Sequence, residues 1–528
     1  MPRSSRVRCI MGRSSAQTVG SALAPVQRRR SGEMQSRSAS TGRSSRLRVR
    51  TGYVATGRNV TRWSVETVLN RCLRPPTLCR RTTSPPRPSV TPFGRWTRFR
   101  RGWSVSWKPV SRRARCEEGQ TMCDSSRHGT SNATLIEAPR HLPISGTYDV
   151  AVVGGGVAGV AAAVAAARTG ASVILIERTF GLGGLATLGL ITTYEPLCDG
   201  HGHQVSFGLS EEMLALSVRD GSAFLPVPEG WADDRHPEAR MNHRYLVQFN
   251  ASSYLLALEE FVLGNGVHLL YDTRFCSVCL SGNRIDALIV ENKSGRSAIR
   301  CRTVIDATGD ADICAAAGEE VRSFKTNTVN GWYYSHGDNG LRLHRLSRPF
   351  DPSAQGVPLG AGPGFAGDEA YDVTQQMIAS RALIRSHLAE TRREENTDHV
   401  FPFLVPTLPG FRMTRRLVGA ATFEADDRKD HPDSIGLISD WRRRGPIYSI
   451  PFRCLCAVKT PNLITAGRCI SAGLTGWDMS RVIPACVVTG EAAGVAAGMT
   501  DDFASLKVPM LQAKLRHNGI KLQVGDVV

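Results

Sequence analysis

An α/β fold with a mainly parallel sheet, built on a βαβ unit and carrying an inserted α+β region, is what this sequence predicts. Three stretches predict it: residues 148–178, reading YDVAVVGGGVAGVAAAVAAARTGASVILIER; residues 302–318, reading RTVIDATGDADICAAAG; and a block rich in small residues over 462–494. In the first, the apolar, β-branched run 149–153 reads as a strand, Gly154, Gly156 and Gly159 fill a GxGxxG pattern, and an Ala/Val-rich helix runs to about Arg168. Gly170 can end that helix in the left-handed conformation, and a second strand, 172–176, delivers Glu177 at its tip. Gly154 permits the tight turn, Gly156 lets the backbone come close to a pyrophosphate, and Gly159 lets the helix sit against the sheet. The helix N-terminus then faces the phosphates with free N–H groups and the positive end of its dipole. Glu177, 23 positions after Gly154, is placed to accept hydrogen bonds from a ribose diol. Strand, glycines, helix, second strand and acid in this order make a dinucleotide-binding unit. The apolar run 151–167 falls short of the ~20 residues of a membrane span and begins in glycines, so no membrane association is expected.

At 528 residues the chain has room for two or three domains of about 150 residues each. Its formal charge of +19 belongs entirely to the first 120 residues, where 26 arginines and one lysine face four glutamates and no aspartate. This leader, taken as 1–121, is rich in Arg, Ser, Thr and Pro, carries Trp63, Trp96, Trp103 and Trp107, and lacks a sustained apolar period, so disorder is expected. Three readings stay open for it: an inert extension ahead of a start at Met122, an organelle-targeting segment, or an arm that binds an anionic partner through arginine and stacked tryptophan. No secretory signal is legible near the start, so the 14 cysteines are expected to be reduced and the protein cytoplasmic. Cys276-x-x-Cys279 and Cys454-x-Cys456 each lack a second pair nearby, which argues against zinc or an iron–sulfur cluster.

Directly after Glu177 and Arg178 comes TFGLGGLATLGL, whose Gly183, Gly184 and Thr187 form a second backbone-rich loop able to wrap a cofactor. Asp199, His201 and His203 follow in a glycine loop that fits a metal pair, a proton shuttle or plain surface. Ser210 with Glu211 and Glu212 reads as a helix start. A helix over 254–263, a strand over 267–271 and a hairpin of 275–280 and 285–291 around Ser281-Gly282-Asn283 come next. The strand 303–306 ends in Ala-Thr-Gly, where small residues up to Gly309 let a loop approach a cofactor. A second GxGxxG at Gly362, Gly364 and Gly367 has Pro and Gly where a buried strand is needed and no acid-tipped strand behind it, so it reads as a loop. No second nucleotide domain for NAD(P)H is then expected. A helix over 373–388 and a Pro-rich segment over 401–410 suggest an inserted domain, ending where Arg412, Arg415 and Arg416 gather. Those arginines suit a carboxylate or phosphate, or structural pairs with Glu424, Asp426 or Asp427. Finally, a strand over 462–466 leads to Gly467-Arg468, and a small-residue helix over 487–497, with Gly490 and Gly494, can lie close to a flat ring.

Together, GGGVAG at 154–159, GGLAT at 183–187, IDATGD at 305–310 and the NLxxAGRCIS…RVxPxCxxTGxAAG block at 462–494 resemble the FAD-dependent oxidoreductases of the glutathione-reductase-like flavoprotein superfamily, from about residue 146 to the end. The resemblance implies a Rossmann-like FAD-binding domain in two parts, 148–325 and 451–505, around an inserted substrate or cap region, 326–450, with 122–147 a linker and 506–528 a C-terminal helix or tail. It implies FAD with its ribose at Glu177, its pyrophosphate at Gly156 and neighbouring residues, and its flavin near Gly184, Thr187 and the helix of Gly490, with Gly309, Gly467, Arg468 and Arg178 also lining the cofactor. Arg481 is placed to offset negative charge on reduced flavin. Disulfide reductases of this type carry a redox cysteine pair where this chain has Leu185, Ala186 and Thr187, and heterodisulfide-reductase-like relatives carry cysteine runs that it lacks. The expected activity is transfer of a hydride or electron pair between a small-molecule substrate and FAD, with His201, His203, Arg412, Arg415 and Arg481 the candidate base and anchors. The reductant is expected to be the substrate or a separate redox protein. The competing reading is a flavin-dependent, RNA-associated protein that uses the leader.

Overall fold

A computed structural model describes residues 137–221, 238, 241, 244–347 and 364–528, all within one compact unit, Thr130–Val528. The leader 1–121 and Gly362 lie outside the described residues. The N-terminal unit is β1 (Ile144–Val153), α1 (Val157–Arg168) and β2 (Val173–Ile176), with Gly170 at φ +94° closing the helix. β1 is longer than the expected 149–153, because Ile144 to Tyr148 find backbone partners at Ala298 to Cys301 of β8 (Gly295–Asp306).

The central sheet among the described residues has seven strands, in the order β5 (His268–Leu270), β2, β1, β8, β7 (Arg284–Asn292), β6 (Arg274–Ser281), with β16 (Leu463–Thr465) also on β8. β5, β2, β1, β8 and β16 pair in parallel, and β8, β7 and β6 pair antiparallel. β8 does both: its first half belongs to the hairpins and its last three residues lie between β1 and β16. Alternation of side chains across each strand sends Val150, Val152, Val173 and Leu175 to the face covered by α1. It sends Ala151, Val153, Ile174 and Ile176 to the other face, with Ile285, Leu288 and Val290. Both faces are covered, and so these strands are apolar throughout.

Across α1 lies α7 (Ile483–Met499), and the fit depends on small residues. A Cβ on Gly490 would stand 2.3 Å from the Ala158 carbonyl oxygen, and one on Gly494 would stand 2.2 Å from that of Ala162. Gly494→Leu is therefore expected to cost about 3 kcal/mol or more, because two backbones would have to part. A fall in the thermal midpoint of less than a few degrees would show that the helices can separate freely.

α2 (Leu209–Val218) starts one residue before the expected Ser210, and its N-cap is Gly208, with no side-chain cap. Glu491 of α7 takes that place, accepting from the Leu209 N–H at 2.8 Å. α3 (Ala251–Gly264) is capped by the Asn250 side chain, and β5, β6 and β7 follow as expected around Gly282 at φ +62°. β3 (Thr193–Tyr194) and β4 (Val247–Gln248) form a small antiparallel pair, and α4 (Asp312–Ala316) follows β8.

Beyond β9 (Val321–Ser323), the chain builds a separate antiparallel sheet from β10 (Asn330–Gly337), β11 (Gly340–Ser347) and β12 (Phe401–Leu404). The 25-residue α5 (Ala370–Glu394) packs on it, close enough that a Cβ on Gly331 would lie 3.0 Å from the Ser380 carbonyl oxygen. Gly364 and Gly367 thus precede a helix whose next strand, β12, joins β10 antiparallel, unlike the parallel strand of a nucleotide-binding βαβ unit. The chain returns to the main body through β13 (Arg415–Leu417), which pairs with β9, then through the antiparallel pair β14 (Ser434–Ser439) and β15 (Ile447–Pro451) to β16, α6 (Leu474–Ser480), α7 and α8 (Val508–His517). Among the described residues no single helix is long and apolar enough to cross a membrane. Only α6 and α7 together meet that measure; they are bent by 89° at their junction, and α7 is almost wholly buried.

Candidate functional site

The carboxyl ends of β1, β2, β8 and β16 converge where strand order reverses, with β2 to one side of β1 and β8 to the other, which is where open α/β sheets bind ligands. Three glycines of the first motif sit there in different roles. Gly154, at φ +104°, leaves no room for a side chain, since a Cβ would lie 2.4 Å from the Ala307 carbonyl oxygen. Gly159 is tighter still, its Cβ position 1.8 Å from the Gly154 carbonyl oxygen, so what it fits against is the glycine turn itself. Gly156 is the N-cap of α1, makes no side-chain cap, and a Cβ on it would meet nothing within 4 Å. Open space in front of an uncapped helix N-terminus is the geometry an anion needs.

The second glycine loop is laced to the first. Gly183 donates its N–H to the Gly155 carbonyl at 2.8 Å, and a Cβ on Gly184 would sit 3.2 Å from the Gly156 Cα. The Thr187 hydroxyl turns back to the Leu182 carbonyl, so its part is to hold this loop. Glu177 is buried at the tip of β2, accepting from the Gly155 N–H at 2.6 Å and from the Thr179 N–H and hydroxyl at 2.8 and 2.7 Å. Arg178 is exposed beside it and lines a cavity with Asp272, Arg274 and Glu291.

A second group of charges gathers at the first turn of α7. Small-residue contacts pair Gly490 with Ala158 and Gly494 with Ala162, so α7 runs parallel to α1. Its start overhangs that of α1 by six residues, roughly 9 Å at 1.5 Å per residue. There the Ile483 N–H donates to Glu195 Oε2 at 3.2 Å, and burial pushes the Glu195 carboxyl up to about 7 against the opposing pull of that bond and of Arg481. Arg481 is bonded to buried Asp478 at 2.6 Å, and Asp478 also takes Arg442 at 3.2 Å. Arg412 lies close by, and burial, followed by repulsion from Arg481, lowers its guanidinium to about 10.

The sequence family described as FAD dependent oxidoreductase matches residues 149–329 and 368–515, well over half of the chain. The chain belongs to that family. Its cofactor is FAD, and it is an oxidoreductase. Comparison with curated proteins gives no match. Among solved structures, the FAD dependent oxidoreductase chain is similar to CabE, an aromatic hydroxylase from angucycline biosynthesis, at 15% identity over 70% of this chain and 68% of that one, TM-score 0.36. It is also similar to a 3-ketosteroid-Δ4-(5α)-dehydrogenase from Rhodococcus jostii RHA1, at 15% identity over 67% and 97%, TM-score 0.31. A third is a geranylgeranyl bacteriochlorophyll reductase-like protein from Thermoplasma acidophilum, at 11% identity over 70% and 82%, TM-score 0.32. Family membership gives no support to the RNA-associated reading, and the leader it relied on lies outside the described residues.

The residues present fit FAD: an unfilled space before Gly156 for the pyrophosphate, and a fixed carboxylate at Glu177 for a ribose. Other candidates of this FAD dependent oxidoreductase are placed differently. Gly309, at φ +79°, packs against the Arg468 guanidinium, which is bonded to the Gly309 and Phe411 carbonyls and to Asp310 at 2.8 to 2.9 Å. Arg468 thereby ties the loop after β8 to the segment before β13. Gly467 lies against Ala158 in the first turn of α1, and Gly490 lies in the middle of α7 against Ala158 and Ala161, as a helix contact. Arg415 reaches Asp312 at 2.6 Å and the Asp310 carbonyl at 2.8 Å, at α4, while Arg412 and Arg481 come together. Arg416 bonds the Leu417 carbonyl and Ser471 and interacts electrostatically with Glu424, one of the partners expected among 424–427, whereas Arg415 takes Asp312 instead. His201 and His203 are held by Asp199, whose carboxylate accepts both backbone N–H groups and faces the His203 ring at 3.0 Å. Their loop rests on Gly445, and among the described residues no cluster of three metal-ligating side chains includes them.

Glu195 and Asp478 escaped the sequence reading. Glu195 stands between Tyr194 and Pro196 as the first acid after Glu177, and the Ile483 N–H that it meets lies nearly 290 positions away. For the ribose end, Glu177→Ala is expected to weaken FAD by about 10- to 100-fold, or roughly 1.4 to 2.8 kcal/mol, because it removes both the ribose acceptor and the anchor of Gly155. Titrating apoprotein with FAD by flavin fluorescence measures this, and an unchanged affinity would put the ribose elsewhere.

Proposed function

We propose that the enzyme transfers a hydride between a small-molecule substrate and FAD beside the first turn of α7. The observation that supports this best is the parallel register of α7 on α1. With the pyrophosphate before Gly156 and the ribose at Glu177, on the β2 side of β1, the remaining half of the cofactor extends to the β8 side, toward the overhanging start of α7. FAD, when bound, supplies the two-electron acceptor. The chain supplies the charge. Arg481, kept in place by Asp478, presents positive charge next to the positive end of α7, which favours negative charge as it develops in the reaction. Arg412, mostly buried beside it, suits an anionic substituent of the substrate. His201 and His203, tied to Asp199, whose carbonyl accepts from Gly445 of the loop that carries Arg442 to Asp478, are second-choice bases.

The test is an anaerobic screen of small molecules followed at the flavin absorbance. Arg481→Met is expected to keep the oxidised flavin spectrum and to slow bleaching by about 100-fold. Equal rates in the two proteins would move the reacting end away from Arg481. We also propose that nicotinamides are poor reductants, since β12 gives the second glycine pattern an antiparallel partner. Stopped-flow mixing with NADH or NADPH is expected to bleach flavin slowly and without saturation. Fast, saturable bleaching that Gly364→Val abolishes would reverse that reading.

A further inference from the structure

We infer that Glu195 is the group that takes up the proton released when a substrate gives its hydride to FAD. The inference rests on the proposed placement of the flavin end at the first turn of α7. A substrate losing two electrons and two hydrogens parts with one hydride and one proton; the hydride, which carries the electron pair, goes to FAD, and the proton goes to the Glu195 carboxylate. Reverse transfer returns it.

Two observations carry this. First, the Glu195 carboxylate already occupies the positive end of a 17-residue helix, bonded to the Ile483 N–H and facing Arg481. Negative charge arriving on the cofactor competes for that same positive end, and two anions near one helix terminus raise each other's proton affinity. By linkage, reduction therefore draws a proton onto Glu195, and a proton on Glu195 favours reduction by the same free energy. Second, Glu195 is poised and its neighbours are not. The groups facing it are Arg481 from the end of α6, Tyr194 of β3 with Tyr254 of α3 behind it, and Cys486 of α7, while Asp478 and Arg412 stand behind Arg481. Burial holds Tyr194 and Tyr254 well above their usual range and the Cys486 thiol at about 12, and Arg412 stays charged with a value of about 10. Glu195, at about 7, is the one of these with a resolved value inside the range from pH 5.5 to 8.5.

The experiment measures proton uptake on anaerobic photoreduction of the FAD-loaded enzyme in weak buffer with a pH indicator, together with the pH dependence of the flavin midpoint potential. At pH 8, where Glu195 is ionised before reduction, the wild type is expected to take up more protons per two electrons than Glu195→Gln, the excess approaching one as reduction raises the proton affinity of Glu195. At pH 5.5 the carboxyl is already protonated and the two proteins should agree. Equal uptake at pH 8, with a potential displaced by the same amount at every pH, would leave Glu195 beside the flavin but overturn its role as proton acceptor. No change in either uptake or potential would instead show that the flavin end lies elsewhere, and the placement on α7 would fall with it. Glutamine can keep the acceptor for the Ile483 N–H; should it still fail to bind FAD, Glu195→Asp, which stays titratable, must restore the pH 8 uptake for the inference to stand.

Discussion

Gly156→Val is expected to yield a folded, colourless protein, whereas Gly159→Val is expected to yield little folded protein at all. The two glycines stand three residues apart in one motif, and the motif alone would treat them alike. Their surroundings do not. A side chain at Gly156 meets nothing within 4 Å, and its φ of −65° suits any residue, so the apoprotein loses nothing in packing. What the valine fills is the approach to the α1 N–H groups, and with the pyrophosphate held off, FAD affinity should fall at least about 100-fold, near 3 kcal/mol. At Gly159 the first added carbon would lie 1.8 Å from the Gly154 carbonyl oxygen, and the glycine turn cannot move without also displacing the Ala307–Thr308 backbone behind it. Soluble yield, thermal midpoint and flavin content of the two purified variants check this together. A yellow Gly156→Val protein would mean that the pyrophosphate does not lie before that residue.

How far the sequence could be read follows from how local each interaction is. The β1–α1–β2 unit was legible because its glycines, helix and Glu177 all act on one another within about thirty residues of chain, and the hairpin at Gly282 for the same reason. The contact between α1 and α7 was half legible. In sequence Gly490 and Gly494 suggest room for a ring, yet their four-residue spacing matches Ala158 and Ala162, so the small-on-small pairing is itself present in the sequence. Arg412, Arg415 and Arg416 looked like one cluster on spacing alone. β13 is extended, so neighbouring side chains alternate in direction, which sends Arg415 to Asp312 and Arg416 to Ser471 and leaves Arg412 with Arg481. Pairings such as Glu195 with Ile483 depend on the packing of the whole domain, and no local pattern announces them.

Glu491 illustrates the same point and makes the last expected result. It is 3% exposed, caps α2 through the Leu209 N–H, and burial pushes its carboxyl up to about 7 from an ordinary value of 4.5. The folded state therefore binds a proton that the unfolded chain has already released between those two values. Its contribution is fully present below about pH 4.5 and is lost as pH rises through 7, so this group makes stability fall with pH across that window. The difference of roughly 2.5 pH units corresponds to at most about 3.4 kcal/mol, and relaxation and water entry will reduce it. Glu491→Gln keeps an acceptor for Leu209 and cannot ionise, so it should be nearly neutral at pH 4.5 and stabilising by about 1 to 3 kcal/mol at pH 8. Comparing urea midpoints of the two apoproteins at both pH values measures the difference. Glu195, also raised to about 7, is unchanged in this variant and cancels in the comparison. Equal stability of the two proteins at pH 8 would mean that water or Arg168 already satisfies the ionised carboxylate. Greater stability of Glu491→Gln at both pH values would point to better packing instead of relief from a buried charge.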